Sequence, residues 1–201
     1  MSALEPSLAP PPDPVSAPVS EPVPRPAAPR RPDLRILLAH PAHLIALGFG
    51  AGLSRWAPGT VGTLWAWASF LVIDRLFGGP HSDLLWSLLL AVGAGLGWWA
   101  CTVTARHLQT ADPGAIVWDE VIAFWAILWV LMPAGFAAQL VAFALFRYFD
   151  AAKPGPVAWA DALFKRRRFG AGVGWPQGFG ILFDDAVAAL CTLLVIALWR
   201  F

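Results

Sequence analysis

Apolar positions fall in long blocks from Leu34 onward, separated by short polar or glycine-rich breaks, whereas residues 1–33 interleave eleven prolines with small and polar residues and carry no aromatic side chain. Such a stretch cannot bury apolar surface and lacks an amide donor at every proline, so a disordered, extended tail is expected over 1–33. It is no signal peptide, because no apolar core precedes Leu34. The next run, LRILLAHPAHLIALGFG, has helical character but is cut by Pro41 and ends in Gly48 and Gly50. Its length and polar insertions predict a short interfacial or buried helix. Beyond a glycine-rich loop at 50–59, five hydrophobic helices are placed over 60–77, 84–105, 116–132, 134–149 and 179–199. They are joined by breaks at 78–83, 106–115 and 133–135 and by a long glycine-rich, basic loop over 150–178. The expected fold class is all-α: a polytopic membrane helical bundle of about five hydrophobic helices plus the short N-terminal helix, forming one membrane-embedded domain over 34–201.

Composition agrees with that pattern. The 201 residues are 58% hydrophobic and 13% charged, too apolar for an ordinary soluble domain. All twelve tryptophans lie from Trp56 onward. The roughly 168 residues after the tail have room for about five or six crossings at ~20 residues each, and too little for a large two-repeat transporter. A net charge of +1 excludes a generic nucleic-acid binder. Cys101 and Cys191 both sit in apolar stretches without metal-ligand spacing and read as packing residues.

Placement of the basic residues sets the orientation. If the first long helix starts on one side, that side receives Arg25, Arg30, Arg31, Arg35, Arg55, Arg106, Arg147, Lys153, Lys165 and Arg166, Arg167 and Arg168, against Arg75 and Arg200 opposite. The positive-inside rule makes the richer side cytoplasmic, together with the tail.

Against this background the acidic residues are not scattered. Asp119 and Glu120 open the third long helix, Arg147 and Asp150 close the fourth, Lys153 follows at once, and Asp184 and Asp185 lie in the first turns of the fifth. All fall at cytoplasmic ends. Counted without its acids, the third helix rises only ~18 Å, short of the ~30 Å hydrocarbon core, which puts the carboxylates near headgroup level. Any one acid here serves equally well as a helix cap. Four in two helices plus Asp150 repel one another, and a bound cation relieves that conflict. Oxygen ligands without His or Cys suit Mg²⁺.

Arg147, Asp150 and Lys153 are spaced i, i+3, i+6 up to Pro154. They read either as an intrahelical ion pair with a snorkelling lysine or as phosphate-binding cations with Asp150 orienting one of them or joining the metal. The run KRRR at 165–168 reads as a membrane-surface anchor. The loop GFGAGLSRWAPGTVGTL, with Thr60 entering a helix, is either a phosphate cradle or a tight helix entry; it lacks the Walker lysine and a preceding strand. His40, His43, His81 and His107 show no ligand spacing and are assigned no catalytic role.

Four segments in order resemble the phosphatidylglycerophosphatase A family of bacterial membrane enzymes: GFGAGLSRWAPGTVGTL (48–64), GAIVWDE (114–120), FRYFDAAKPGP (146–156) and GFGILFDD (178–185). The chain departs from the family pattern at Ala123 and Ala189, where glycines are usual, at Leu182, which replaces a common methionine, and in an apparent insertion over 165–177. The resemblance implies Mg²⁺-dependent hydrolysis of the lipid substrate phosphatidylglycerophosphate to phosphatidylglycerol and inorganic phosphate, at the cytoplasmic face of the inner membrane. It implies an active site made of Asp119, Glu120, Asp150, Asp184 and Asp185. Asp119, Glu120, Asp184 and Asp185 are the metal candidates, and Arg147, Lys153 and Thr60 the phosphate-binding ones. Asp150 or Glu120 is the expected base, with direct water attack and a phosphoenzyme both open. No obligate protein partner is expected. A cation transporter is the rival class, but it predicts charges at midmembrane and on both sides; a scaffold has no use for buried acids.

Overall fold

The computed structural model of the protein describes residues 32–79, 82–110, 112–165 and 173–200. All regular structure among them is helical: α1 (Leu34–Ala39), α2 (Pro41–Ala46), a 3-10 helix (Gly48–Leu53), α3 (Pro58–Phe77), α4 (Ser82–His107), α5 (Trp118–Leu131), α6 (Phe136–Ala152), α7 (Pro156–Lys165) and α8 (Trp175–Arg200). The tail expected over 1–33 and the basic run at 166–168 lie outside the described residues, except for Pro32 and Asp33. Asp33 caps α1, its Oδ1 accepting from the Ile36 amide at 3.0 Å.

Among the described residues two helices, α4 and α8, are long and apolar enough to cross a membrane. Their outer faces are what lipid requires: Leu84, Leu88, Val92 and Leu96 form an exposed stripe at i+4 spacing on α4, and Leu190, Leu194 and Leu198 repeat it on α8. By length alone α3, at 20 residues, rises ~30 Å, whereas α5, at 14, rises only ~21 Å.

Three expectations change. The 150–178 stretch is no continuous loop, because residues 156–165 form α7, whose Val157 and Ala160 are buried. The glycine-rich 50–59 loop begins as a 3-10 turn with Phe49 and Gly50 at positive φ. And α8 starts at Trp175, which puts Asp184 and Asp185 about 14 Å along its axis, beyond the first turns.

Close approach at small residues assembles the bundle. The Trp118 side chain lies over Gly97 and donates its indole N–H to the Gly93 carbonyl of α4 at 2.9 Å. Gly178 of α8 lies against Thr102 of α4, with no room for a Cβ. Such contacts let helix backbones approach closely. Other indoles find buried acceptors: Trp125 on the Ala66 carbonyl at 2.9 Å, and Trp67 on Gln139 Oε1 at 2.6 Å. Cys101 and Cys191 are free thiols.

Candidate active site

The start of α5 is pinned from three sides. The Val117 amide donates to the Ala46 carbonyl at 2.9 Å, the Val117 side chain fills the space over Gly48 and Gly62, and Gly52 lies on the Ala115 carbonyl. The glycines of the first motif thus serve a packing role: they let the 3-10 helix and α3 close onto the segment that delivers Asp119 and Glu120. Capping does not account for these two acids. Val117 occupies the N-cap position and supplies no side-chain bond, while Asp119 Oδ1 and Glu120 Oε2 are buried without a hydrogen-bond partner.

From α8, Asp185 Oδ2 is buried and unpartnered in the same way. Asp119, Glu120 and Asp185 each bring a carboxylate oxygen to a common point, all within 4.8 Å of one another. Leaving three buried acceptors without a donor is costly for each, and mutual repulsion adds to it. A cation at their centre relieves both, and an oxygen-only donor set fits a hard divalent ion.

The remaining acids have cations of their own. Arg147 Nη1 donates to Asp150 Oδ2 at 2.6 Å, lies 3.6 Å from Glu120 Oε1 and donates to Thr63 Oγ1 at 3.4 Å. Gly59, in the first turn of α3, packs directly against Glu120 and the Arg147 guanidinium. Thr60 follows it, half-buried, but the threonine that reaches Arg147 is Thr63, one turn further.

Lys153 parts company with Arg147 and Asp150. It ends α6 in the left-handed conformation, φ 46° and ψ 52°, and its Nζ reaches Asp161 Oδ1 on α7 and Asp184 Oδ2 on α8, each at 2.5 Å. Burial opposes charge on this ammonium, but the two carboxylates outweigh it and hold the group above the usual lysine range. Asp184 is therefore turned to Lys153 while its neighbour Asp185 joins Asp119 and Glu120. The expected set of four metal candidates divides three to one.

Sequence reasoning missed Asp161 and Asp112. Asp161 lies in the run PVAWADALFK, whose helical spacing was available but was submerged in a stretch read as loop. Asp112 lines two spaces at once. One is a narrow recess shared with Asp161, Phe164, Gln177 and Asp184; the other is a cavity of about 790 Å³ bordered by Asp33, Ser54, Arg55, Pro58 and Thr110. The histidines form a separate group, described by His43 Nδ1 at 2.7 Å from the Ile36 carbonyl and Nε2 at 2.8 Å from His107 Nδ1; His81 lies outside the described residues.

A family profile described as phosphatidylglycerophosphatase A matches residues 44–200. Phosphatidylglycerophosphatase A of Escherichia coli is 36% identical over 165 residues, covering 81% of this chain and 87% of its own. Its namesake in Haemophilus influenzae is 33% identical over 162 residues, covering 81% and 90%. A Bacteroides thetaiotaomicron protein provisionally named phosphatidylinositol-3-phosphatase is 34% identical over 165 residues, covering 78% and 92%. No solved structure matches the chain.

Proposed function

The chain belongs to the phosphatidylglycerophosphatase A family, enzymes that hydrolyse phosphatidylglycerophosphate, and from that premise we propose that its reaction runs at the Asp119–Glu120–Asp185 cluster with Mg²⁺ bound there. The observation that carries this reading is that Asp119, Glu120 and Asp185, each holding one buried carboxylate oxygen without a partner, bring carboxylate oxygens within 4.8 Å of one another beside two paired cations. When bound, Mg²⁺ supplies Lewis-acid charge on the phosphoryl oxygens and lowers the pKa of a coordinated water.

The chain's own groups do the rest. The Arg147 fork and the Lys153 ammonium bind equatorial phosphoryl oxygens and stabilise the charge that develops there. Asp150, bonded to Arg147 Nη1, orients the guanidinium, which leaves Glu120 as the candidate proton acceptor. The lipid headgroup would approach through the cavity of about 790 Å³, a placement supported by Asp112, which lines both that cavity and the recess at Asp184. The site lies at the cytoplasmic ends of α5 and α6 in a multi-pass inner-membrane protein. The apolar outer faces of α4 and α8 and the one-sided distribution of Lys and Arg support that placement.

The test is release of inorganic phosphate from purified protein in detergent micelles of phosphatidylglycerophosphate, with and without Mg²⁺. Asp119→Asn and Asp185→Asn should lose activity at every Mg²⁺ concentration. Full activity in either variant, or in chelator, overturns the assignment.

A further inference from the structure

Lys153 is held by two helices that do not carry it. Its side chain leaves α6 through the left-handed turn at Lys153 and Gly155, so it no longer follows the face of Arg147 and Asp150. A lysine has four rotatable bonds, and an ammonium is a compact point charge without the fixed fork of arginine. Its direction must come from its surroundings. Asp184 alone would not supply it. Asp184 adjoins Asp185, which shares a cluster of carboxylate oxygens with Asp119 and Glu120, and three carboxylates attract a loose cation more strongly than one.

Asp161 approaches from α7, at the rim of the site, with its side chain 21% exposed against 8% for Asp184. The helix that carries it is firmly seated. Val157 and Ala160 are buried, and the Phe164 ring lies against Gly180 of α8, where a Cβ would not fit. Asp161 therefore pulls the ammonium outward from a fixed point while Asp184 holds it inward.

We propose that Asp161 is a positioning residue for the phosphatase reaction: by holding Lys153 Nζ between itself and Asp184, it keeps the ammonium on the phosphate and out of the Asp119–Glu120–Asp185 cluster. This rests on the reading of that cluster as the metal site and of Lys153 as a phosphate ligand.

The experiment uses the full chain in detergent micelles, with Asp161→Asn, Asp161→Glu, Lys153→Met and the Asp161→Asn/Lys153→Met double variant. Two quantities are read: phosphate release from phosphatidylglycerophosphate, and Mn²⁺ affinity without substrate, from the electron paramagnetic resonance signal of free Mn²⁺. Asp161→Asn is expected to lower kcat roughly 10- to 100-fold, the scale of a misplaced catalytic contact, with thermal unfolding unchanged and most of kcat restored in Asp161→Glu. It should also weaken Mn²⁺ binding, because the released ammonium competes for the carboxylates. In the double variant Mn²⁺ affinity should return to the wild-type value, since no ammonium remains. A purely structural role for Asp161 does not produce that recovery.

Wild-type kcat and Mn²⁺ affinity in Asp161→Asn, with Lys153→Met inactive, overturn the inference and leave the site reading standing. Mn²⁺ binding as weak in the double variant as in Asp161→Asn also overturns it. Full activity in Lys153→Met, or no Mn²⁺ binding by the wild-type protein, overturns the site reading and this inference with it.

Discussion

Gly59 lies flat against Glu120: a Cβ at this position in the first turn of α3 would overlap Glu120 Oε1 and stand 3.1 Å from both terminal nitrogens of Arg147. The backbone there is helical, so alanine meets no conformational penalty and gains helix propensity of about 0.5–1 kcal/mol. Its effect is confined to the space it takes. Gly59→Ala should leave the melting temperature in detergent unchanged or raised and lower kcat/KM roughly 100-fold, because the Glu120 carboxylate must shift by about an ångström while the guanidinium gives by much less. Full activity in this variant would mean that Glu120 and Arg147 need no fixed separation.

The unpartnered oxygens predict a metal-dependent stability. If the cluster binds Mg²⁺ only when folded, a hundredfold excess over Kd stabilises the protein by about 2.7 kcal/mol. Differential scanning fluorimetry in micelles should show a higher melting temperature with Mg²⁺ than with chelator. Asp185→Asn should abolish that shift and, in chelator, melt above the wild type, since one of three repelling carboxylates is gone. Asp83→Asn, at the opposite end of α4, should keep the shift. A shift of equal size in Asp185→Asn would place the ion elsewhere.

Arg147 offers a way to separate charge from shape. One nitrogen, Nη1, faces Asp150, Glu120 and Thr63, and both members of the Arg147–Asp150 pair are nearly buried. Arg147→Lys keeps the charge but not the fork and should cost roughly 10²–10³ in kcat, the scale of one lost transition-state donor. Arg147→Met strands Asp150 and should destabilise, by less than the ~3–5 kcal/mol of a fully buried pair, whereas Arg147→Met with Asp150→Leu should recover most of that stability and no activity. Recovery of phosphate release in the double variant would remove Arg147 from the chemistry.

How far the sequence carried the site can be read from single residues. Asp119, Glu120 and Asp185 were legible because acids in a hydrophobic helix need a reason, and four motifs placed them in order. The partner of Lys153 was not. Spacing i, i+6 aligned it with Arg147 and Asp150, but the left-handed turn at Lys153 breaks the helix there and sends the side chain to Asp161 and Asp184, a contact fixed by α7 and α8 together. The helix α7 itself was hidden because its ten residues, though amphipathic at helical spacing, are short and flanked by Pro154–Gly155 and a glycine-rich, basic segment. The boundary of α8 was misplaced for a related reason: Pro176 and Gly178 look like breakers, yet proline is tolerated in a first turn and Gly178 is needed where α8 meets Thr102.

The histidines, set aside for lack of ligand spacing, make a pH prediction. The Ile36 carbonyl can only accept, so His43 Nδ1 carries a proton and donates to it; in the neutral ring His43 Nε2 accepts from His107 Nδ1–H. Burial lowers the His43 pKa; the Ile36 carbonyl opposes this, and the nearby His107 and His40 rings reinforce the lowering. Between the lowered folded value and about 6.5 in the unfolded chain, the unfolded state binds more protons. His43 therefore contributes its full stability above pH 6.5, and that contribution is lost as pH falls below it toward the folded value. Melting temperatures of the wild type should drop between pH 7.5 and 5.5 more steeply than those of His43→Gln, whose side-chain amide keeps the bond to Ile36 without titrating. Parallel profiles for the two proteins would show that His43 binds its proton alike in the folded and the unfolded chain.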